Sequence, residues 1–285
     1  MLASRAMLVP LATEPALGPL QAFVLGAVQG LTELLPVSSS AHLYLVPTLL
    51  GWPYAGIAFD VAMHAGTLLA LFVAFFDDWR RMLVDAIGSD AARRREALAL
   101  LGMLVVATIP ALAAGWLMED LEDRLRSVPL QASMLLVFGV LMWVADRFTK
   151  PGRDDRVPGW GSALAVGFAQ CLALVPGVSR SGITMTAGRA TGLSRVSAAR
   201  FSFLLSTPIT LAAVLYTGVL KSRHLLAELP ASTILIGVAS SALFGFLAIR
   251  FMLNLLRRTG FGGFAAYRVI LALGLFAWWA ARRGA

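Results

Sequence analysis

The stretch QGLTELLPVSSSAHLY, residues 29–44, places the carboxylate of Glu33, the hydroxyls of Ser38, Ser39 and Ser40 and the imidazole of His42 around a helix breaker, Pro36. A second stretch, PGVSRSGIT at residues 176–184, places the guanidinium of Arg180 between Ser179 and Ser181, and Thr184 and Thr186 follow. Gln29 and Glu33 are four residues apart, on one face of a helix before the first turn; Ser39 and His42 are three apart, on one face after it. Gly177 and Gly182 allow tight backbone geometry and close approach. A guanidinium flanked by hydroxyls and by the free amides of a helix start is a phosphate receptor in chemical terms.

The surroundings are apolar. Of 285 residues, 58% are hydrophobic and 14% charged, and the mean hydropathy is +0.77. Soluble domains carry about 25% charged residues, so the chain reads as an all-α polytopic membrane protein, one integral domain over residues 1–285. The single cysteine, Cys171, excludes an intramolecular disulfide framework and is expected to pack as a small apolar residue. The net charge of +8 fits basic cytoplasmic loops facing anionic membrane lipid, and no nucleic-acid-binding motif is present. The early apolar run is broken by Pro10, Glu14 and Pro19, so no cleavable signal is expected.

Six stretches, near 58–76, 97–116, 130–147, 201–219, 232–252 and 264–281, supply the ~20 apolar residues that a membrane span requires. Two others, 20–50 and 160–188, are interrupted by the polar turns. Each half is too short to span comfortably, and broken helices at membrane depth need protein or a watery cavity around them. Both are expected to be re-entrant helix–turn–helix hairpins. They match when 141 is added to the first: Ala22 meets Ala163, Gly26 meets Gly167, Gln29 meets Gln170, Leu31 meets Leu172, Val37 meets Val178, Ser38 meets Ser179 and Ser40 meets Ser181. The expected architecture is an inverted-topology repeat, with repeat 1 over about 17–147 and repeat 2 over about 158–282. Such repeats place their site near mid-membrane at the repeat interface, so Pro36–Ser40 and Pro176–Ser181 should approach each other.

Basic residues set the orientation. Arg80, Arg81, Arg93, Arg94, Arg95, Arg147, Lys150, Arg153, Arg156, Arg189, Arg195, Arg200, Arg250, Arg257, Arg258 and Arg268 fall on one side, 16 of 24; Arg5, Arg124, Arg126, Lys221, Arg223, Arg282 and Arg283 fall on the other. The richer side is expected in the cytoplasm, with both termini outside. The first hairpin then enters from outside and the second from the cytoplasm. Within the expected membrane segments, away from loops, lie only Glu33 and Asp60 among the acids, His42 and His64 among the histidines, and Arg180 among the bases; His224 falls in an outer loop. Ionisable groups at this depth are costly and are functional candidates by default. Each also has a plainer reading. Ser38 and Ser40 can bond back to helix carbonyls, Glu33 can be a structural partner of Arg180, and a carbonyl can hold His42. For Asp60 and His64 a supporting role behind the site, or an interfacial cap, is the expectation.

At these residues the chain resembles a known family. QGLTELLPVSSSAH and PGVSRSGIT are similar to the two signature motifs of the bacterial undecaprenyl-diphosphate phosphatases of the bacitracin-resistance type, and the similarity runs through FDVAMHAGTLLA and nearly the whole chain. The separated motifs of the unrelated phosphatidic-acid-phosphatase type are absent. The resemblance implies hydrolysis of the terminal phosphate of undecaprenyl diphosphate, recycling of that lipid carrier for peptidoglycan synthesis, and a site in the bacterial inner membrane that opens to the periplasm. By motif, it implies a catalytic group of Glu33, Ser39, His42 and Arg180, with Gln29 at the first position of the (Glu/Gln)-x-x-x-Glu motif and Ser179 and Thr184 at phosphate-site positions; Ser38 and Ser181, on the same turns, are further candidates for substrate contact. It also implies a divalent-cation requirement. Two departures are visible: Gln29 is the non-ionisable option of the family's (Glu/Gln)-x-x-x-Glu motif, and Ser40-Ala41 stand where Thr-Gly is common.

Phosphoryl transfer needs charge neutralisation, an in-line nucleophile and a proton manager. Arg180 is the expected clamp on diphosphate oxygens, aided by Ser179, Thr184 and backbone amides. Ser39 is the expected nucleophile, with His42 or Glu33 as base; a water activated by His42 fits the sequence equally well. Glu33, with Gln29, is the candidate protein ligand for Mg²⁺ or Ca²⁺, the substrate's phosphates supplying further oxygens. The isoprenoid tail is expected in an apolar groove between spans. The competing reading is a transporter or flippase of polyprenyl phosphate lipid, because inverted repeats with broken helices also serve alternating access. A homodimeric assembly is left open by the sequence.

Overall fold

The computed structural model describes residues 17–52, 56–118, 125, 127–150, 157–216 and 230–283, and among these there is no strand. The N-terminal stretch read for a signal lies outside the described residues. So do Arg5, Arg124, Arg126, Arg153, Arg156, Lys221, Arg223 and His224, and positions 217–219 of the fourth expected span. The first half runs α1 (Pro19–Leu34), α2 (Ser39–Leu50), α3 (Ile57–Ala74), α4 (Phe76–Ile87), α5 (Ala91–Leu117) and α6 (Val128–Phe148). The second runs α7 (Trp160–Cys171, then a 3₁₀ turn Leu172–Leu174), α8 (Arg180–Ala190), α9 (Arg195–Ala213), α10 (Ala231–Leu256) and α11 (Gly262–Arg283).

This is a multi-pass helical membrane protein. Helices α5, α6, α9, α10 and α11 are long and apolar enough to cross a membrane, and α3 with α4, bent by 64° at their junction, pass the same test taken together. The bend falls where the apolar run gives way to FDDWRR, whose charged side chains favour water over hydrocarbon. Each hairpin breaks where its sequence predicts. Pro36 and Pro176 have no amide proton with which to continue α1 and α7, and a new helix starts at Ser39 and at Arg180.

The packing follows the 141-residue offset. α1 packs most extensively on α10, and α7 packs on α5. Shifted by 141, α1 falls on α7 and its 3₁₀ turn, and α5 falls on α10. Each hairpin therefore packs on a span of the other half, and the two contacts correspond. The matched glycines make them possible. A Cβ on Gly26 would stand 2.3 Å from the Gly237 carbonyl oxygen, and one on Gly167 would stand 2.7 Å from the Ala107 carbonyl oxygen. Lipid tails are as apolar as leucine, so helices in a bilayer associate through close van der Waals fit, which small residues permit. Large apolar side chains accordingly stay on the outside, among them Val105, Ile109, Trp116, Val137, Leu243 and Phe251.

Two charged residues depart from expectation. Asp146 is not among the acids expected within membrane segments, yet it lies in the last turn of α6, 7% exposed. It accepts from Arg195 Nε at 2.7 Å, Arg189 Nε at 3.2 Å and the Phe261 amide at 2.9 Å. Arg189 also donates to the carbonyls of Leu193 and Thr149. One carboxylate thus ties α6 to α8, to α9 and to the segment before α11. Arg268 is expected among the connectors on the cytoplasmic side, yet it is fully buried within α11. Its place follows from the span 264–281, which encloses it; a lone arginine inside an apolar helix turns to the bundle interior.

Candidate active site

Both turns use one backbone device. Ser38 and Ser179 are the only described non-glycine residues with positive φ, at 77° and 73°. Such conformations cost of order 1 kcal/mol or more and persist where the surroundings fix them. Each serine pairs its hydroxyl with that of the serine two residues on: Ser38 with Ser40 at 3.1 Å, and Ser179 with Ser181 at 3.3 Å. The turns also bind each other. The Gly177 amide donates to Ser40 Oγ at 3.3 Å, and Ser181 Oγ donates to the Leu35 carbonyl at 3.1 Å.

Glu33 is where they converge. Its Oε1 accepts from Arg180 Nη2 at 2.8 Å. Its Oε2 accepts from Ser39 Oγ at 2.5 Å and from Gln29 Nε2 at 3.3 Å, and stands 3.6 Å from His64 Nε2. The side chains of Glu33 and Arg180 are 8% and 13% exposed, so the pair is largely withdrawn from water. Charge-assisted bonds in such surroundings are the strong ones. Ser39 and Arg180 are also the first residues of α2 and α8, so two helix N-termini, each a positive dipole end, begin beside this carboxylate. Arg180 Nη1 is buried without a partner, as is Gln29 Oε1.

The remaining expected residues divide. His64 reaches Glu33 and donates from Nδ1 to the Asp60 backbone carbonyl at 2.7 Å. His42 does not meet Ser39. Its Nδ1–H donates to the Ser38 carbonyl at 2.7 Å, which leaves Nε2 to accept from the Tyr267 hydroxyl at 2.6 Å. The two rings stack, 5.8 Å between centroids. Ser38, Ser181 and Thr184 are buried and engage their hydroxyls inside the fold; Thr184 bonds the Arg180 carbonyl at 2.8 Å and Ser202 Oγ at 2.6 Å. Ser179 Oγ accepts from the Gly182 amide at 3.1 Å, capping α8. These hydroxyls build the turns, while Ser39 and Arg180 present reactive and charged groups.

Sequence reasoning missed Tyr267 and treated Arg268 as a loop residue. The signal for Arg268 was its position inside a span; nothing in the sequence marks Tyr267 as a partner of His42. Among the described residues, no group of three or more His, Cys, Asp or Glu side chains is arranged to hold a metal ion. Glu33 and the unpartnered Gln29 Oε1 are hard oxygen donors, which suit a cation that also binds substrate phosphates.

Fold and site together define a polytopic membrane protein whose buried hydroxyl–carboxylate–guanidinium centre has the parts for phosphoryl transfer. The chain belongs to the family described as Bacitracin resistance protein BacA, which matches residues 22–274. It is similar to the undecaprenyl-diphosphatase of Gemmatimonas aurantiaca, 49% identical over 265 residues, covering 92% of this chain and 98% of the relative. It is also similar to proteins of that name from Trichlorobacter lovleyi, 46% identical over 264 residues with 90% and 96% covered, and from Pelotomaculum thermopropionicum, 44% identical over 265 residues with 92% and 97% covered.

Proposed function

We propose that the chain hydrolyses undecaprenyl diphosphate to undecaprenyl phosphate and inorganic phosphate, returning the lipid carrier to peptidoglycan synthesis and giving bacitracin resistance. It is an enzyme, a phosphoric anhydride hydrolase. The hydrolase name shared by its relatives disfavours a pure transporter or flippase. The observation that carries the chemistry is the meeting of Ser39, Glu33 and Arg180, from two turns brought together by the fold.

Arg180 holds the terminal phosphate through its free Nη1. Ser39 Oγ attacks the terminal phosphorus while its proton passes along the 2.5 Å bond to Glu33. The bond from phosphorus to the bridging oxygen breaks, and undecaprenyl phosphate leaves with that proton. Water then cleaves the phosphoserine, giving a proton to Glu33, which returns it to Ser39. His42, held between Ser38 and Tyr267, orients α2 at its first turn rather than serving Ser39 as base. Gln29 and Glu33 would hold a divalent cation, which when bound with substrate supplies charge neutralisation across the diphosphate.

The protein is proposed to lie in the bacterial inner membrane with the site opening to the periplasm and both termini on that side. The basic asymmetry supports this orientation: 16 residues become 15 once buried Arg268 is taken out, still against 7. The test is phosphate release from undecaprenyl diphosphate by purified protein in detergent, where no gradient exists. Lipid movement in vesicles without phosphate release in detergent would overturn the reading.

A further inference from the structure

Arg268 is fully buried, and every hydrogen-bond partner it has among the described residues is a main-chain carbonyl. Nη1 donates to Pro36 O at 3.3 Å, in the first turn. Nη2 donates to Gly177 O at 3.0 Å and Val178 O at 2.9 Å, in the second turn. Longer bonds, Nε to Leu135 O at 3.4 Å and Nη2 to Met134 O at 3.5 Å, fix the guanidinium to α6. No carboxylate is paired with it among the described residues, although a buried cation normally requires one. The room is made by absent side chains. A Cβ on Gly182 would stand 2.7 Å from Arg268 Nη1, and one on Gly139 would stand 3.1 Å from Arg268 Cβ.

One guanidinium therefore bridges carbonyls just upstream of both positive-φ serines: Pro36, two residues before Ser38, and Gly177 and Val178, the two residues before Ser179. A lysine, with one compact ammonium, has no fork that spans two turns. The bridge lies outside both motifs, on α11, beside Tyr267, which holds His42.

We infer that Arg268 is a positioning residue of the site, a clamp that sets the first-turn nucleophile and the second-turn guanidinium at their working separation. The inference rests on the proposed phosphatase reading for its kinetic consequence, and on the backbone alone for its structural one. It is tested with full-length Arg268→Met and Arg268→Lys in detergent, by phosphate-release kinetics and by amide hydrogen exchange. Arg268→Met is expected to lower kcat about 100-fold and raise KM about fivefold. A mere loss of folded protein would lower the apparent kcat and leave KM alone. Exchange should quicken about tenfold in residues 35–41 and 176–182 and stay unchanged in α5 and α10. Arg268→Lys is expected to recover little of either. Should Arg268→Met fail to fold, Gly182→Ala displaces the guanidinium without removing it and should quicken exchange in the same two turns. Lysine turnover within about threefold of wild type would reduce Arg268 to a bare charge and overturn the clamp. Unchanged exchange at the turns in Arg268→Met, or in Gly182→Ala where that variant is needed, would overturn it equally. A wild-type protein that releases no phosphate would instead overturn the functional reading, and the exchange measurement would still decide the clamp.

Discussion

The hydroxyl of Ser39 lies 2.5 Å from the carboxylate of Glu33, across a turn whose corner is a positive-φ serine. The carboxylate is already committed to Arg180 at 2.8 Å, so one group links the nucleophile candidate to the anion receptor. A hydroxyl this close to a buried carboxylate has a proton acceptor in place before substrate arrives. His42, which the spacing of the sequence offers for that task, is occupied at both ring nitrogens.

Ser39→Ala separates the two nucleophile models. With Ser39 as nucleophile, kcat should fall about a thousandfold or more, and rapid quenching of the wild type should trap a phosphoserine on residue 39. Activity within about tenfold of wild type would exclude an obligatory phosphoserine and favour a water held by Glu33.

Arg180→Lys keeps the charge and loses the fork. One arm of Arg180 meets Glu33, and the other is buried with nothing to bind until a phosphate enters. A lysine cannot serve both, so kcat/KM should drop about 100-fold while the protein stays monodisperse in detergent. Near-normal kinetics would show that the second arm has no role in turnover.

Much of this geometry was legible in the sequence because it depends on local chemistry. The helix breaks follow from Pro36 and Pro176, the spans follow from apolar run length, and the 141-residue match brings the turns into correspondence. Identical residues perform identical work in both halves: Ser38 and Ser179 take the strained corner, and Gly26 and Gly167 take the close approach. The divergent positions carry the proposed chemistry. Ser39 corresponds to Arg180, and Glu33 corresponds to Leu174, so nucleophile and cation occupy equivalent places in the two turns. The sequence does not reveal which hydroxyls are consumed by the fold. Thr184 and Ser181 sit in a phosphate-like motif yet bond inward, because their direction is set by packing against α9 and α1. Tyr267 and Arg268 act across more than 200 residues of chain on His42 and Pro36, and no local pattern encodes such a contact.

Tyr267→Phe removes the one donor to His42 Nε2 and keeps a ring to stack on the imidazole. If the hydroxyl serves to orient His42, kcat should fall only about three- to tenfold, with no change in thermal midpoint. A loss as large as that of Ser39→Ala would place Tyr267 in the proton path itself.

Asp146→Asn should destabilise without disabling. Asp146 neutralises Arg189, which is 3% exposed, and also holds Arg195 and the Phe261 amide. Removing its charge leaves a buried arginine uncompensated, a loss of about 3–5 kcal/mol for a broken buried pair. The thermal midpoint in detergent should fall clearly, while kcat per folded molecule stays near wild type because no member of this cluster bonds Ser39, Glu33 or Arg180. Equal stability of Asn and Asp would show that the carbonyl partners of Arg189 suffice.

Gly26→Ala and Gly167→Ala probe the two interlocked contacts as a matched pair. The new methyl would meet Gly237 O at 2.3 Å in one and Ala107 O at 2.7 Å in the other, both backbone atoms that cannot step aside cheaply. Overpacking of this kind costs about 1–3 kcal/mol, and Gly26, the tighter site, should cost more. The sites lie in different hairpins, so the double variant should show roughly the sum. Gly161→Ala supplies the control on the same helix as Gly167: nothing stands within 4 Å of its Cβ. There, helix propensity alone acts, and the change should be neutral or stabilising by about 0.5–1 kcal/mol. Destabilisation at Gly161 equal to that at Gly167 would mean that α7 resents alanine everywhere, and the close α7–α5 crossing would lose its claim to be what the glycine is for.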